Sequence, residues 1–267
     1  MNITILANRD LASCVVLNQL VPALADHELS LFLSASVGGK SELPWQLQAL
    51  KFFEQDLFNA LLFPALDNAE LPAQGRLKTF QGLAELAGTT CSELNHINAG
   101  EDFERFISTA PELVISIRYG IILRERVIAV PKFGVINLHS GLLPAYKGVM
   151  ATFRAMLNGD SEIGMTLHYI DDPTIDTGRI IEKTALEVQA GRSYLWHVLE
   201  LYDEGCVSLL RAIEVLASGA QLQCVEQAAG GNYYSFPNGA ELAAFEAKSL
   251  QLVDSAEVLE LARQFLG

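Results

Sequence analysis

The sequence predicts an α/β fold, a mostly parallel sheet with helices on its faces. Three observations lead there. The chain opens strand, helix, strand; residues 113–117 form a nearly continuous apolar run; and residues 194–217 carry the clearest helical periodicity in the protein. An apolar run of that length suits a strand covered on both faces, as in a parallel sheet.

Residues 2–7 are a short apolar strand, and "DLASCVVLNQLVP" follows with an acidic start, helical spacing and Pro22 as terminator. A second strand falls at 29–34, so the first two strands should pair in parallel through a right-handed crossover. The stretch 44–63, rich in Leu, Phe and Gln, reads as a helix, and 80–87 as a shorter one. Strands follow at 113–117 and 133–139, a helix at 152–157, and strands at 164–170 and 179–188. In 194–217 the residues Leu195, Val198, Leu199, Tyr202, Cys206, Leu209, Leu210, Ile213 and Leu216 keep three- and four-residue spacing, and Gly219 ends the helix. The weakest join is "QAAGGN", 227–232, before a tail with a short helical pattern at 240–248. The expected organisation is a main domain over 1–226 and a C-terminal extension, 227–267, packed on it.

Half of the 267 residues are hydrophobic and 19% are charged, ample for a core. The longest apolar runs break well before the ~20 residues of a membrane span, and the N-terminus lacks a basic stretch leading into a long apolar one. Cys14, Cys91, Cys206 and Cys224 show no C-x-x-C spacing and read as reduced thiols. A cytoplasmic protein that avoids membranes is expected. The net charge of −14 argues against a nucleic-acid partner, whose phosphates require clustered Lys and Arg, and leaves a small molecule open. A homodimer is compatible with this composition.

The chemistry concentrates in "INLHSGLLPAYKG", residues 136–148. In an extended backbone, positions i and i+2 share a face, so Asn137 and His139 project together while Leu138 points away. They fall where a strand gives out, which is where open parallel sheets place their sites. Gly141, Pro144 and Gly148 then shape a loop over that place. Downstream, "HYIDDPTIDTGRII", 168–181, leaves one strand and returns to the next through a carboxylate-rich turn. If those strands neighbour each other, Asp176 can meet the imidazole of His139, raising its basicity and fixing its orientation. Asn, Asp and Gly are also ordinary loop formers, and a lone strand-end histidine commonly serves packing. The order and spacing of the two segments together carry the specificity. His139 and Asp176 have no third ligand at a metal-binding spacing.

The stretch 137–148 followed by "DTG" at 176–178 resembles the signature of the formyltransferases that use 10-formyltetrahydrofolate, Asn-x-His, two further residues, Leu-Leu-Pro, with Asp-x-Gly later. The resemblance is strong over 113–188 and implies a Rossmann-like formyltransferase fold and a catalytic trio of Asn137, His139 and Asp176. It also implies a folate pocket made by two loops, here "RYGIIL" with Arg118, Tyr119, Gly120 and Ile121, and "IDDPTID" with Ile170, Asp171 and Asp172. His168 resembles a histidine often present on the corresponding strand. One departure is Gly141, where the family often has Ser; here Ser140 stands ahead of it.

The implied reaction is attack of a neutral amine on the formyl carbonyl. Asn137 would donate to the oxyanion, His139 would accept the amine proton or hold the oxyanion as imidazolium, and Asp176 would orient His139. Among the family's acceptors, glycinamide ribonucleotide calls for a glycine-rich turn after the first strand, and "ANRDLAS" has none. Methionyl-tRNA calls for a basic C-terminal domain, whereas the stretch after Val188 is short and the chain acidic. The tail "GGNYYSFPNG" is similar to a segment of amino-sugar N-formyltransferases, which act on nucleotide-activated sugars of surface glycans. Tyr233 and Tyr234 are candidates to stack on a base or sugar, or else pack as an aromatic hairpin. Arg9, Lys40, Lys147 and Arg154 are candidates for a phosphate contact. A hydrolase using water in place of the amine, and a non-catalytic folate or nucleotide module, are the alternatives.

Overall fold

Strand β1 (Asn2–Asn8) is followed by α1 (Leu11–Ala23), whose first turn is closed by Asp10: its side chain accepts from the Ser13 N–H at 2.8 Å. Pro22 lies inside the last turn of that helix rather than ending it. The computed structural model describes residues 1–35, 43–68 and 74–267, so Lys40 lies outside the described residues. Strand β2 (Glu28–Ser34) returns parallel to β1, as the opening pattern predicts.

Helix α2 (Trp45–Lys51) does not continue as the uniform helix expected over 44–63. It widens into a π-helix over Phe52–Leu62, closed by the Phe63 N–H on the Phe58 carbonyl, and resumes as α3 (Phe63–Asp67). Pro64 donates no N–H, and the wide stretch ends at Leu62, two residues before it. Such π segments gather at functional sites, and this one supplies Glu54 and Gln55 to the main cavity.

The chain continues through α4 (Phe80–Leu86), β3 (Cys91–Glu93), α5 (Gly100–Ser108), β4 (Leu113–Ile117), α6 (Glu125–Ile128) and β5 (Val135–His139). A three-residue strand β6 (Tyr146–Gly148) and α7 (Ala151–Asn158) lead to β7 (Glu162–Tyr169) and β8 (Ile180–Glu187). Helix α8 (Tyr194–Ala217), capped by Ser193, has the bounds its periodicity predicts. Strand β9 (Asn232–Tyr234), α9 (Gly239–Ala247) and α10 (Ser255–Leu266) complete the chain.

The seven-stranded sheet has the order β3-β2-β1-β4-β5-β7-β8; the first five are parallel, while β7 runs antiparallel to both β5 and β8. The chain moves outward from β1 to β3 and then crosses to β4 on the other side of β1. That reversal opens a crevice at the carboxyl ends of the strands. Along β1, Ile3, Ile5 and Ala7 pack into one core with α1 and α8, and Leu6 into a second with Phe103 and Phe106 of α5. Burial of both faces explains why β4 is apolar at nearly every position.

Leu242, Phe245, Val258 and Phe265 of the C-terminal helices join the larger core. The Phe265 ring lies 5.1 Å from Phe63 and 5.9 Å from Phe58. Phe265→Ala is expected to cost roughly 3–5 kcal/mol, seen as a lower urea midpoint for the single unfolding transition of the whole chain. Little change would mean that the last helix is dispensable to the core.

Candidate active site

Strand β5 ends with Asn137 and His139 on one face, as its alternation requires. Antiparallel β7 sets His168 directly opposite Asn137. The two side chains meet: Asn137 Nδ2 and His168 Nε2 are 3.0 Å apart. His168 Nδ1 lies 2.8 Å from the Tyr169 carbonyl, which can only accept, so Nδ1 carries the hydrogen and Nε2 accepts from Asn137. An amide nitrogen has two hydrogens, and one is left free.

The turn between β7 and β8 brings Asp176 between the two histidines, with Oδ2 3.6 Å from His139 Nδ1 and Oδ1 3.6 Å from His168 Nε2. These distances exceed a hydrogen bond but suffice for strong electrostatic coupling. Oδ2 also accepts from the Gly148 N–H at 2.7 Å, and His139 Nε2 donates to the Tyr146 carbonyl at 2.7 Å. Burial by itself would raise the Asp176 carboxyl; His139, His168 and the Gly148 amide outweigh it and hold the group down at about 2.

Gly141 fits this arrangement through close approach. A Cβ there would lie 2.7 Å from His139 Nε2 and 2.9 Å from the Tyr146 carbonyl oxygen, wedged into the bond between them. Asn137, His139 and Asp176 face a cavity of about 550 Å³. Arg118, Met150 and Asp176 on its wall have φ of +55°, +54° and +55°, left-handed backbone that costs of order 1–3 kcal/mol each and clusters at functional sites.

Residues 95–195, which hold β4, β5, β7 and β8, match the formyl transferase family. This segment is a formyl transferase domain. A methionyl-tRNA formyltransferase of Fusobacterium nucleatum is 37% identical over 108 residues, 40% of this chain and 34% of that protein. The chain thus spans about a third of the length of the curated relatives it matches. Two solved structures share the fold. One is an N-formyltransferase from Helicobacter canadensis, in complex with folinic acid and dTDP-3-aminofucose: TM-score 0.54, 16% identity, covering 87% of this chain and 70% of that one. The other is phosphoribosylglycinamide formyltransferase from Anaplasma phagocytophilum: TM-score 0.54, 17% identity, covering 88% and 98%.

Within the formyl transferase domain, both expected loops line the same cavity: Arg118 to Leu123 on one side, Ile170 and Asp172 to Asp176 on the other. Asp171 is a correction. It lies outside the lining, its carboxylate bound to Arg179 at 2.7 Å and to the Arg179 N–H at 3.0 Å, which lowers its pKa. The Arg118 guanidinium is already paired, with Asp10 at 2.8 Å and with Glu54, and the Tyr119 hydroxyl donates to the Leu94 carbonyl.

The acceptor-side residues need more correction. Arg9 opens onto a different cavity, of about 470 Å³, beside Phe63, Phe80 and Cys91, and faces Glu93 at 3.4 Å. Lys147 spends its ammonium on the Gly230 carbonyl at 2.9 Å. Tyr234 stacks on Tyr146, centroids 6.0 Å apart, and Arg154 is buried against Glu241 and the Ser235 carbonyl. Packing therefore occupies all three. Tyr233 does line the cavity and is 58% exposed.

The sequence reading missed a second polar group in the same cavity: Asn8, Glu54, Tyr194 and Tyr202 around Arg118. Asn8 ends β1 and so sits at a strand carboxyl end, a signal that could have found it. Tyr194 and Tyr202 share a face of α8 and read as core from sequence alone; the Tyr202 hydroxyl has no hydrogen-bond partner among the described residues. Burial pushes the Glu54 carboxyl up, to about 7, against the pull of Arg118 and with help from Asp10. The folded protein therefore binds a proton there that the unfolded chain releases. Glu54 stabilises fully below about 4.5, and this contribution is lost as pH rises through about 7. Glu54→Gln should flatten that slope: relative to the variant, the wild type should lose thermal stability between these pH values. Parallel Tm curves would refute it.

Proposed function

We propose that the protein transfers the formyl group of 10-formyltetrahydrofolate to a primary amine of a small molecule, an amino sugar carried on a nucleotide. The observation that carries this reading is the meeting of an amide, an imidazole and a carboxylate, Asn137, His139 and Asp176, on one cavity wall. The two loops of the formyl transferase domain supply that cavity with an apolar surface, Ile121, Ile122 and Ile170, suited to the flat ring of the folate. The folate supplies a formyl carbon open to attack by an amine.

Asn137 commits one amide hydrogen to His168 and has the other for the oxyanion that develops on the formyl oxygen. His139 takes the proton of the attacking amine and returns it to N10 as the formyl C–N10 bond breaks and tetrahydrofolate leaves, and Asp176, ionised at neutral pH, orients the imidazole and balances the positive charge it gains meanwhile. A small acceptor is favoured by the net charge of −14, and the Helicobacter canadensis protein of the same fold, in complex with dTDP-3-aminofucose, suggests a nucleotide-linked amino sugar as the first one to test. The 37% identity to a methionyl-tRNA formyltransferase supports a second reading, with tRNA as acceptor.

The test mixes purified protein with 10-formyltetrahydrofolate and either nucleotide-linked amino sugars or methionyl-tRNA, and follows folate release and formyl mass gain. Gain on a sugar is expected. Gain on the tRNA alone would replace the acceptor, and release of free formate without a formylated product would replace the transferase by a hydrolase.

A further inference from the structure

The His139 imidazole and the Asp176 carboxylate make no close side-chain hydrogen bond to the main sheet among the described residues. Their close partners are backbone groups of β6: the Tyr146 carbonyl for His139 and the Gly148 amide for Asp176, both at 2.7 Å. Strand β6 has three residues and lies outside the seven-stranded sheet; its ladder partner is β9, with Tyr146, Lys147 and Gly148 in register with Asn232, Tyr233 and Tyr234. The Asn232 N–H donates to the Ala145 carbonyl at 3.1 Å, and the Val149 N–H to the Tyr234 carbonyl at 2.8 Å.

Strand β9 is in turn secured by Arg154 of α7, 4% exposed and absent from the cavity lining. Its guanidinium donates to the Ser235 carbonyl at 2.9 Å, pairs with Glu241 of α9 and lies 4.9 Å from the centre of the Tyr234 ring. A buried guanidinium is costly to desolvate, and cores replace such pairs readily where packing is all that is required.

We propose that β9 is a strap that sets His139 and Asp176 through the backbone of β6, and that Arg154 is its latch, a positioning residue that never touches substrate. The kinetic arm of its test rests on the formyl-transfer reading; the spectroscopic arm does not.

Three variants loosen the strap at different points. Arg154→Met keeps an unbranched apolar stem and removes the charge and the donors. Glu241→Gln removes the ion pair while leaving a side chain that serves equally at its capping-box position. Gly231→Ala introduces a Cβ 1.6 Å from the Pro144 carbonyl oxygen at a residue with φ +77°, displacing the strap itself. In each, the imidazole NMR titration of His139 should move, with those of His27 and His96 unchanged. Turnover should fall about 10²-fold in Arg154→Met and Gly231→Ala and about tenfold in Glu241→Gln, as expected for reacting groups displaced by an ångström, with KM for the folate within about threefold.

A lower Tm with an unmoved His139 titration and wild-type kcat would overturn the proposal and leave Arg154 a structural residue. If Arg154→Met does not fold, the other two variants decide. If the wild type formylates no acceptor, the functional reading falls and the His139 titration alone decides the strap.

Discussion

Asp176→Asn should lower kcat by about 10²- to 10⁴-fold, the usual range for loss of a group that tunes an acid or base, with the fold retained. The substitution keeps the shape of the side chain, and its amide oxygen can still accept from the Gly148 N–H, so the turn should survive. What disappears is the charge 3.6 Å from His139 Nδ1. Because the folded carboxyl sits at about 2, below its ordinary 3.8, it stabilises the protein above the ordinary value and that contribution fades as pH falls through about 2. Asp176 therefore stays ionised across the working range, and any acid limb in the kcat/KM profile belongs to another group. A variant within threefold of wild-type turnover would remove Asp176 from the reaction.

Asn137→Ala should cost about 10²- to 10³-fold in kcat, the loss typical of one oxyanion donor. It should also lower stability by ~1–3 kcal/mol, because buried His168 Nε2 loses the amide that donates to it. His168→Gln separates the two effects. It removes the partner that orients Asn137 and leaves the amide, so its turnover should fall less than that of Asn137→Ala. Equal losses would mean that His168 itself handles the reaction, and wild-type turnover in Asn137→Ala would end the oxyanion assignment.

Local regularity made much of this legible. The period of two in β5 puts Asn137 and His139 on one face whatever surrounds them, and the spacing in α8 fixed both of its ends. The turn at 170–176 was harder, because three residues there, Asp171, Asp172 and Asp176, carry carboxylates, and sequence gives no direction for each. Asp171 turns out to Arg179 while Asp172 and Asp176 face the cavity. Residues whose role depends on a distant partner left no trace. Glu54 becomes unusual only when Arg118 and Asp10 arrive beside it. Strands β3, β6 and β9, three residues each, are extended because of what they pair with, and helices α5, α6 and α10 also went unpredicted. The π-helical stretch is invisible to a search for α periodicity. Arg9, Lys147 and Arg154 were singled out by charge, and charge cannot reveal that a carboxylate or carbonyl already waits nearby.

The pairing of β6 with β9 also orders events during synthesis. Asn137, His139 and Asp176 leave the ribosome well before Asn232–Tyr234 exist, and contacts so distant in sequence form late in any case. A nascent chain can hold its parallel strands while the imidazole and carboxylate still lack their fixed setting. On the proposed role of β9, a chain that ends before Asn232 should form the parallel sheet and still leave the His139 imidazole and the Asp176 carboxylate without their setting.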